Sequence, residues 1–112
     1  MPITVEIEEH PGAVVLMVSG EVDIRSAPEL RDRLAAVLAG GADRVVLDLL
    51  GVPFLDSTGL SVMVAAHKRL VQRGGKELGV VATAAPVLRV LTVTGLARVF
   101  SVHATLDAAL AS

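Results

Sequence analysis

Cysteine, tryptophan and tyrosine are absent from the 112 residues, and Phe54 and Phe100 are the only aromatic rings. Without cysteine there is no disulfide, no thiolate zinc site and no thiol nucleophile, a composition that suits the cytosol. Basic and acidic residues nearly cancel, 10 Lys plus Arg against 12 Asp plus Glu for a formal net charge of -2. A nucleic-acid binder draws on a basic field and on stacking rings, and this chain has neither. No apolar run approaches the roughly 18 residues that cross a bilayer. The opening Met1-Pro2-Ile3-Thr4-Val5-Glu6 lacks the basic region and apolar stretch of a signal peptide. These absences lead to the expectation of a cytoplasmic protein that touches neither membrane nor nucleic acid directly.

Hydrophobic residues, by contrast, make up 53% of the chain and charged residues 20%, enough to bury a sheet under helices. The length is that of a single domain, taken as 1–112. Ile3, Val5 and Ile7 alternate with Thr4, Glu6 and Glu8, the period of a strand with one face buried. His10-Pro11-Gly12 turns the chain into the apolar run Ala13 to Val18, so the first two strands form a hairpin. Ser26-Ala27-Pro28-Glu29 has the spacing of a capping box with proline in the first turn. The helix it opens carries Leu30, Leu34, Val37 and Leu38 on one face and stops at Gly40-Gly41.

Val45 to Leu50 reads as a central strand broken only by Asp48. Leu60, Met63, Val64, Leu70 and Val71 then recur at helical spacing as far as Gly74-Gly75, with Asp56-Ser57-Thr58-Gly59 at the front. Leu78 to Ala82 is a further strand, Pro86 to Thr94 a helix, Val99 to Val102 a last strand and Thr105 to Ala111 a short helix. The order ββαβαβαβα implies an α/β fold with a mixed, mostly parallel sheet and helices packed on it.

Asp56-Ser57-Thr58-Gly59 gathers a carboxylate and two hydroxyls at a strand-to-helix junction, the end of a sheet where α/β proteins place sites. Helix capping alone explains those residue types as well as a functional site does, and the two roles are compatible. A serine there is open to a kinase, and a phosphate on it would face the positive end of the helix. His10, His67 and His103 have no spacing that groups them as metal ligands, and His67 falls near the apolar stripe of its helix. The glycine pairs follow helices instead of preceding them, so they are helix stops and not phosphate cradles. No metal or cofactor is expected. The Asp-(Ser/Thr)-Gly of aspartic proteases is similar, but here a residue is inserted and the segment opens a helix.

Several motifs in order resemble the STAS domain family, specifically the bacterial anti-sigma factor antagonists. Gly20-Glu21-Val22-Asp23 is similar to the family's Gly-Glu-Leu-Asp element after the second strand, and Ala27-Pro28-Glu29-Leu30 to the start of its first helix. Asp56-Ser57-Thr58-Gly59-Leu60 resembles its phosphorylation motif, and Thr94-Gly95-Leu96 with Phe100 its closing segment. The resemblance implies a STAS-type fold and a regulatory protein that is not an enzyme. It implies that Ser57 is phosphorylated by an anti-sigma factor that is also a serine kinase, with Thr58 a lower-ranked acceptor deeper in the first helical turn. The unphosphorylated form would bind that kinase and release a sigma factor, and a phosphatase would reset the phosphorylated form. Asp23, Asp56, Ser57, Thr58 and Gly59 would form the partner-binding surface. The alternatives are a STAS scaffold or sensory module that is never phosphorylated, and an aspartyl-phosphate receiver using Asp48. The receiver would need an acidic pair after the first strand and a lysine after a later one, and this chain offers neither in place.

Overall fold

The computed structural model describes residues 2–112. Strands β1 (Thr4–His10) and β2 (Ala13–Ser19) form an antiparallel hairpin across Pro11 and Gly12, Gly12 taking the left-handed conformation the turn requires. Helix α1 (Ala27–Ala39) leads to β3 (Val45–Gly51), α2 (Ser57–Gln72) to β4 (Gly79–Val81), and α3 (Ala85–Val93) through a 3-10 turn at Leu96–Arg98 to β5 (Ser101–His103). Helix α4 (Leu106–Ala111) follows. The five strands lie in the order β1-β2-β3-β4-β5, parallel throughout except for the hairpin. The expected α/β architecture is therefore the one observed.

Alternation along the strands sorts the core into two layers. Leu16, Val18, Leu47, Leu49 and Val80 meet Leu30, Leu34 and Leu38 of α1, Met63 and Leu70 of α2, and Val87 and Leu91 of α3. Their neighbours Val15, Val46 and Val81 point the other way, where only α4 covers them through Ala109, Leu106 and Leu110. The second face is thus half covered. Leu50, on that face beyond the reach of α4, is 48% exposed, unlike the buried strand interior expected of it. Ile7 is also exposed because β1 is an edge strand, and Val71 because it leaves the apolar stripe in the last turn of α2.

The start of α1 departs from the expected capping box. Ser26 is buried, and its hydroxyl donates to the Glu21 carbonyl at 2.8 Å and accepts from the Asp23 amide at 3.0 Å, so it makes no cap. The loop's turn is organised by Asp23, whose Oδ1 accepts from the amides of Arg25 at 2.9 Å and Ser26 at 3.3 Å. The last strand also starts later than expected. Gly95, at φ 79°, opens the 3-10 turn that consumes Leu96 to Arg98, and pairing begins only at Ser101.

Candidate functional site

Two loops meet at the carboxyl end of the parallel strands. One joins β2 to α1 and carries Asp23; the other joins β3 to α2 and carries Asp56 and Ser57. They are tied by a parallel bridge between Val22 and Leu55, in which the Val22 amide donates to the Phe54 carbonyl at 3.3 Å and the Asp56 amide to the Val22 carbonyl at 3.1 Å. The bridge sets the loop that carries Asp23 alongside the loop that carries Asp56. The Gly20 amide adds a third tie, donating to the Gly51 carbonyl at 3.0 Å.

Asp56 is the N-cap of α2. Its Oδ1 accepts from the amides of Thr58 at 3.0 Å and Gly59 at 3.1 Å, satisfying two N–H groups that the first turn leaves without partners. The Thr58 hydroxyl donates to the same Oδ1 and is half-buried, so it is committed to the cap. Ser57 is exposed, and no side-chain hydrogen bond engages its hydroxyl among the described residues. Of the two hydroxyls, only that of Ser57 is exposed and uncommitted among the described residues.

Gly59 explains how the loops come so close. A Cβ there would lie 2.5 Å from Leu55 Cδ1 and 2.7 Å from Val22 Cγ1, so the α2 backbone packs directly on the bridge. Its lack of a side chain is what permits this packing, while its amide donates to Asp56 Oδ1. The Asp23 side chain is largely covered, 17% exposed, and Arg25 lies 3.4 Å from Oδ2. The Arg25 amide, followed by that of Ser26 and the Arg25 side chain, holds the Asp23 carboxyl below its ordinary value of 3.8 despite some desolvation. The family resemblance singled out Asp23, Asp56, Ser57, Thr58 and Gly59, and the fold brings all five to one end of the molecule. The Val22–Leu55 bridge that joins them was not visible in the sequence, because two single apolar residues in loops carry no strand period.

Asp48 sits inside β3, where its Oδ1 accepts from the Leu50 amide at 2.9 Å. Among the described residues no three His, Cys, Asp or Glu side chains cluster as a metal site, and β1 is an antiparallel edge strand with no acidic pair at a shared carboxyl end. The receiver arrangement is not formed. His67 is structural: its Nδ1 accepts from the Leu78 amide at 3.2 Å and its ring meets Phe100 edge-on at 5.5 Å.

Residues 4–109 match the STAS domain model, and the chain belongs to that family. The anti-sigma-F factor antagonist RsfB of Mycobacterium tuberculosis is 34% identical over 108 residues, spanning 96% of this chain and 87% of the relative. A crystal structure of an anti-sigma factor antagonist from Mycobacterium paratuberculosis superimposes with a TM-score of 0.89 at 40% identity, over 97% of this chain and 92% of that one. The fold is also that of SpoIIAA, an anti-sigma factor antagonist solved unphosphorylated (TM-score 0.77, 20% identity, 96% of this chain, 93% of that one) and, from Bacillus, phosphorylated (TM-score 0.72, 21% identity, 96% and 97%).

Proposed function

We propose that this chain is an anti-sigma factor antagonist that works by partner switching, with Ser57 as the phosphoacceptor that sets its state. Unphosphorylated, it binds an anti-sigma factor serine kinase through the two bridged loops and frees a sigma factor. Phosphorylated, it no longer binds, and a phosphatase restores it. The observation that carries the reading is the division of labour in the first turn of α2: Asp56 and Thr58 are tied into the cap, while Ser57 stands free and exposed beside them. The relatives that cover most of this chain are named as antagonists of anti-sigma factors, which supports the same partner class.

A kinase needs its acceptor hydroxyl unencumbered so that an attacking oxygen can approach the γ-phosphate in line. The Thr58 hydroxyl would first have to give up its hydrogen bond to Asp56. Phosphorylation with Mg-ATP and an anti-sigma factor kinase, followed by peptide mapping, tests this. One phosphate on Ser57, lost in Ser57→Ala and kept in Thr58→Val, is expected. Phosphate undiminished in Ser57→Ala would overturn the assignment. The ester should also survive hydroxylamine, which cleaves an acyl phosphate on a carboxylate.

A further inference from the structure

Two large apolar side chains stand exposed on the same pair of loops as Ser57: Ile24, 71% exposed and adjacent to Asp23, and Phe54, 48% exposed and two residues before Asp56. Isolated surface hydrophobics are ordinary. These two differ in that the Val22–Leu55 bridge fixes their loops to each other, so they hold constant positions about the acceptor. Resting on the reading of Ser57 as a kinase substrate, we infer that Ile24 and Phe54 are the apolar anchors by which the anti-sigma factor kinase grips this chain. Ser57 then carries the on–off signal and the anchors supply the affinity.

The occupant follows from reach. Three residues of extended chain span at most about 10 Å, so Phe54 lies within that distance of the acceptor. A stable protein interface covers about 800 Å² per partner, a disc of roughly 16 Å radius. A kinase engaging Ser57 by such a footprint, on a molecule with extents of 30 × 24 × 23 Å, has Phe54 within reach, and Ile24 lies on the loop bridged to it. Burying exposed aliphatic and aromatic groups at the centre of an interface is where binding energy concentrates. The charges around the anchors have both signs, with Arg25 exposed and paired to the mostly covered Asp23 and Asp56 held in the cap, so the grip rests on the apolar pair.

The test uses the full chain with each anti-sigma factor kinase encoded in the same genome, assayed singly with Mg-ATP. Ile24→Ser and Phe54→Ser should each raise KM for the protein substrate about tenfold and leave kcat within about twofold, because an anchor remote from the transferred phosphoryl binds ground and transition states alike. Ile24→Leu should restore the original KM. Melting temperatures within about 3 °C of the unsubstituted protein are expected for an exposed residue; if Phe54→Ser unfolds, Ile24→Ser alone decides. Unchanged KM in variants of intact fold would overturn the anchors while leaving Ser57 as the acceptor. A fall in kcat at constant KM would equally overturn them. Failure of every kinase to modify the unsubstituted protein would overturn the functional reading and the anchors together.

Discussion

At the residue scale the site contains three residues, Asp56, Gly59 and Asp23, with separate physical duties. Asp56 satisfies two amides of α2, and a cap of that kind is worth about 1 kcal/mol. Asp56→Ala should therefore lower the melting temperature by about 4 °C, as read by thermal denaturation. Gly59→Ala forces a methyl group against Leu55 and Val22, both held in the bridge, and overpacking of this kind costs about 1–3 kcal/mol. It should destabilise more than Asp56→Ala does, and it should weaken partner binding by pushing the two loops apart. Asp23 has a lowered carboxyl pKa in the folded state, first through the Arg25 amide. Its contribution to stability is accordingly present above the unfolded value near 3.8 and is lost as pH falls through the lower folded value. Melting curves of the protein and of Asp23→Asn should differ at pH 7 and converge on acidification below about pH 4. A difference that grew on acidification would contradict this sign.

At the element scale, the order and type of strands and helices followed from periodicity, because long stretches such as Leu30 to Leu38 and Leu60 to Leu70 repeat with one buried face. The motif opening α2 was equally legible, since Asp, Ser and Thr before an apolar helix have a cap to make. The start of α1 was misread for a physical reason. Ser26 has the right spacing for a cap, but a loop anchored by Asp23 draws its hydroxyl inward to Glu21 instead. Exposure at Ile7 and Leu50 was hidden because burial depends on edge position and on the extent of α4, neither of which is local. Helix α4 itself has six residues, too few to be stable alone. It is held by Ala109 against Val15, Val46 and Val81, and by Arg44, whose guanidinium donates to the Leu110 carbonyl at 3.1 Å and to the Ala109 carbonyl. Arg44→Ala should speed amide hydrogen exchange in α4 at least tenfold while β3 stays protected, a difference of about 1.4 kcal/mol in local opening. Equal protection of α4 in both proteins would show that packing alone retains it.

At the scale of the whole molecule the question is whether phosphate reshapes the fold or spoils a surface. A phosphate on Ser57 would add about -1.5 to -2 charges at the start of α2, where the dipole favours it and the neighbouring Asp56 opposes it. Asp56 already takes the amides of Thr58 and Gly59, so the phosphate gains no ready-made cradle from the helix. Each effect amounts to about 1 kcal/mol or less, against a total stability of roughly 5–15 kcal/mol. The partner surface is different. An unpaired charge buried in an interface costs roughly 3–5 kcal/mol, which is a loss of affinity of about a hundredfold or more. Ser57→Asp, with one charge and fewer acceptor oxygens, should reproduce only part of that loss. The most direct measurement is calorimetric titration of the anti-sigma factor kinase with the unmodified and the Ser57-phosphorylated protein, each also melted in the same buffer. The expected result is a fall in affinity of about a hundredfold or more with melting temperatures within about 3 °C of each other; equal affinities, or an affinity loss accompanied by a large shift in melting temperature, would contradict it.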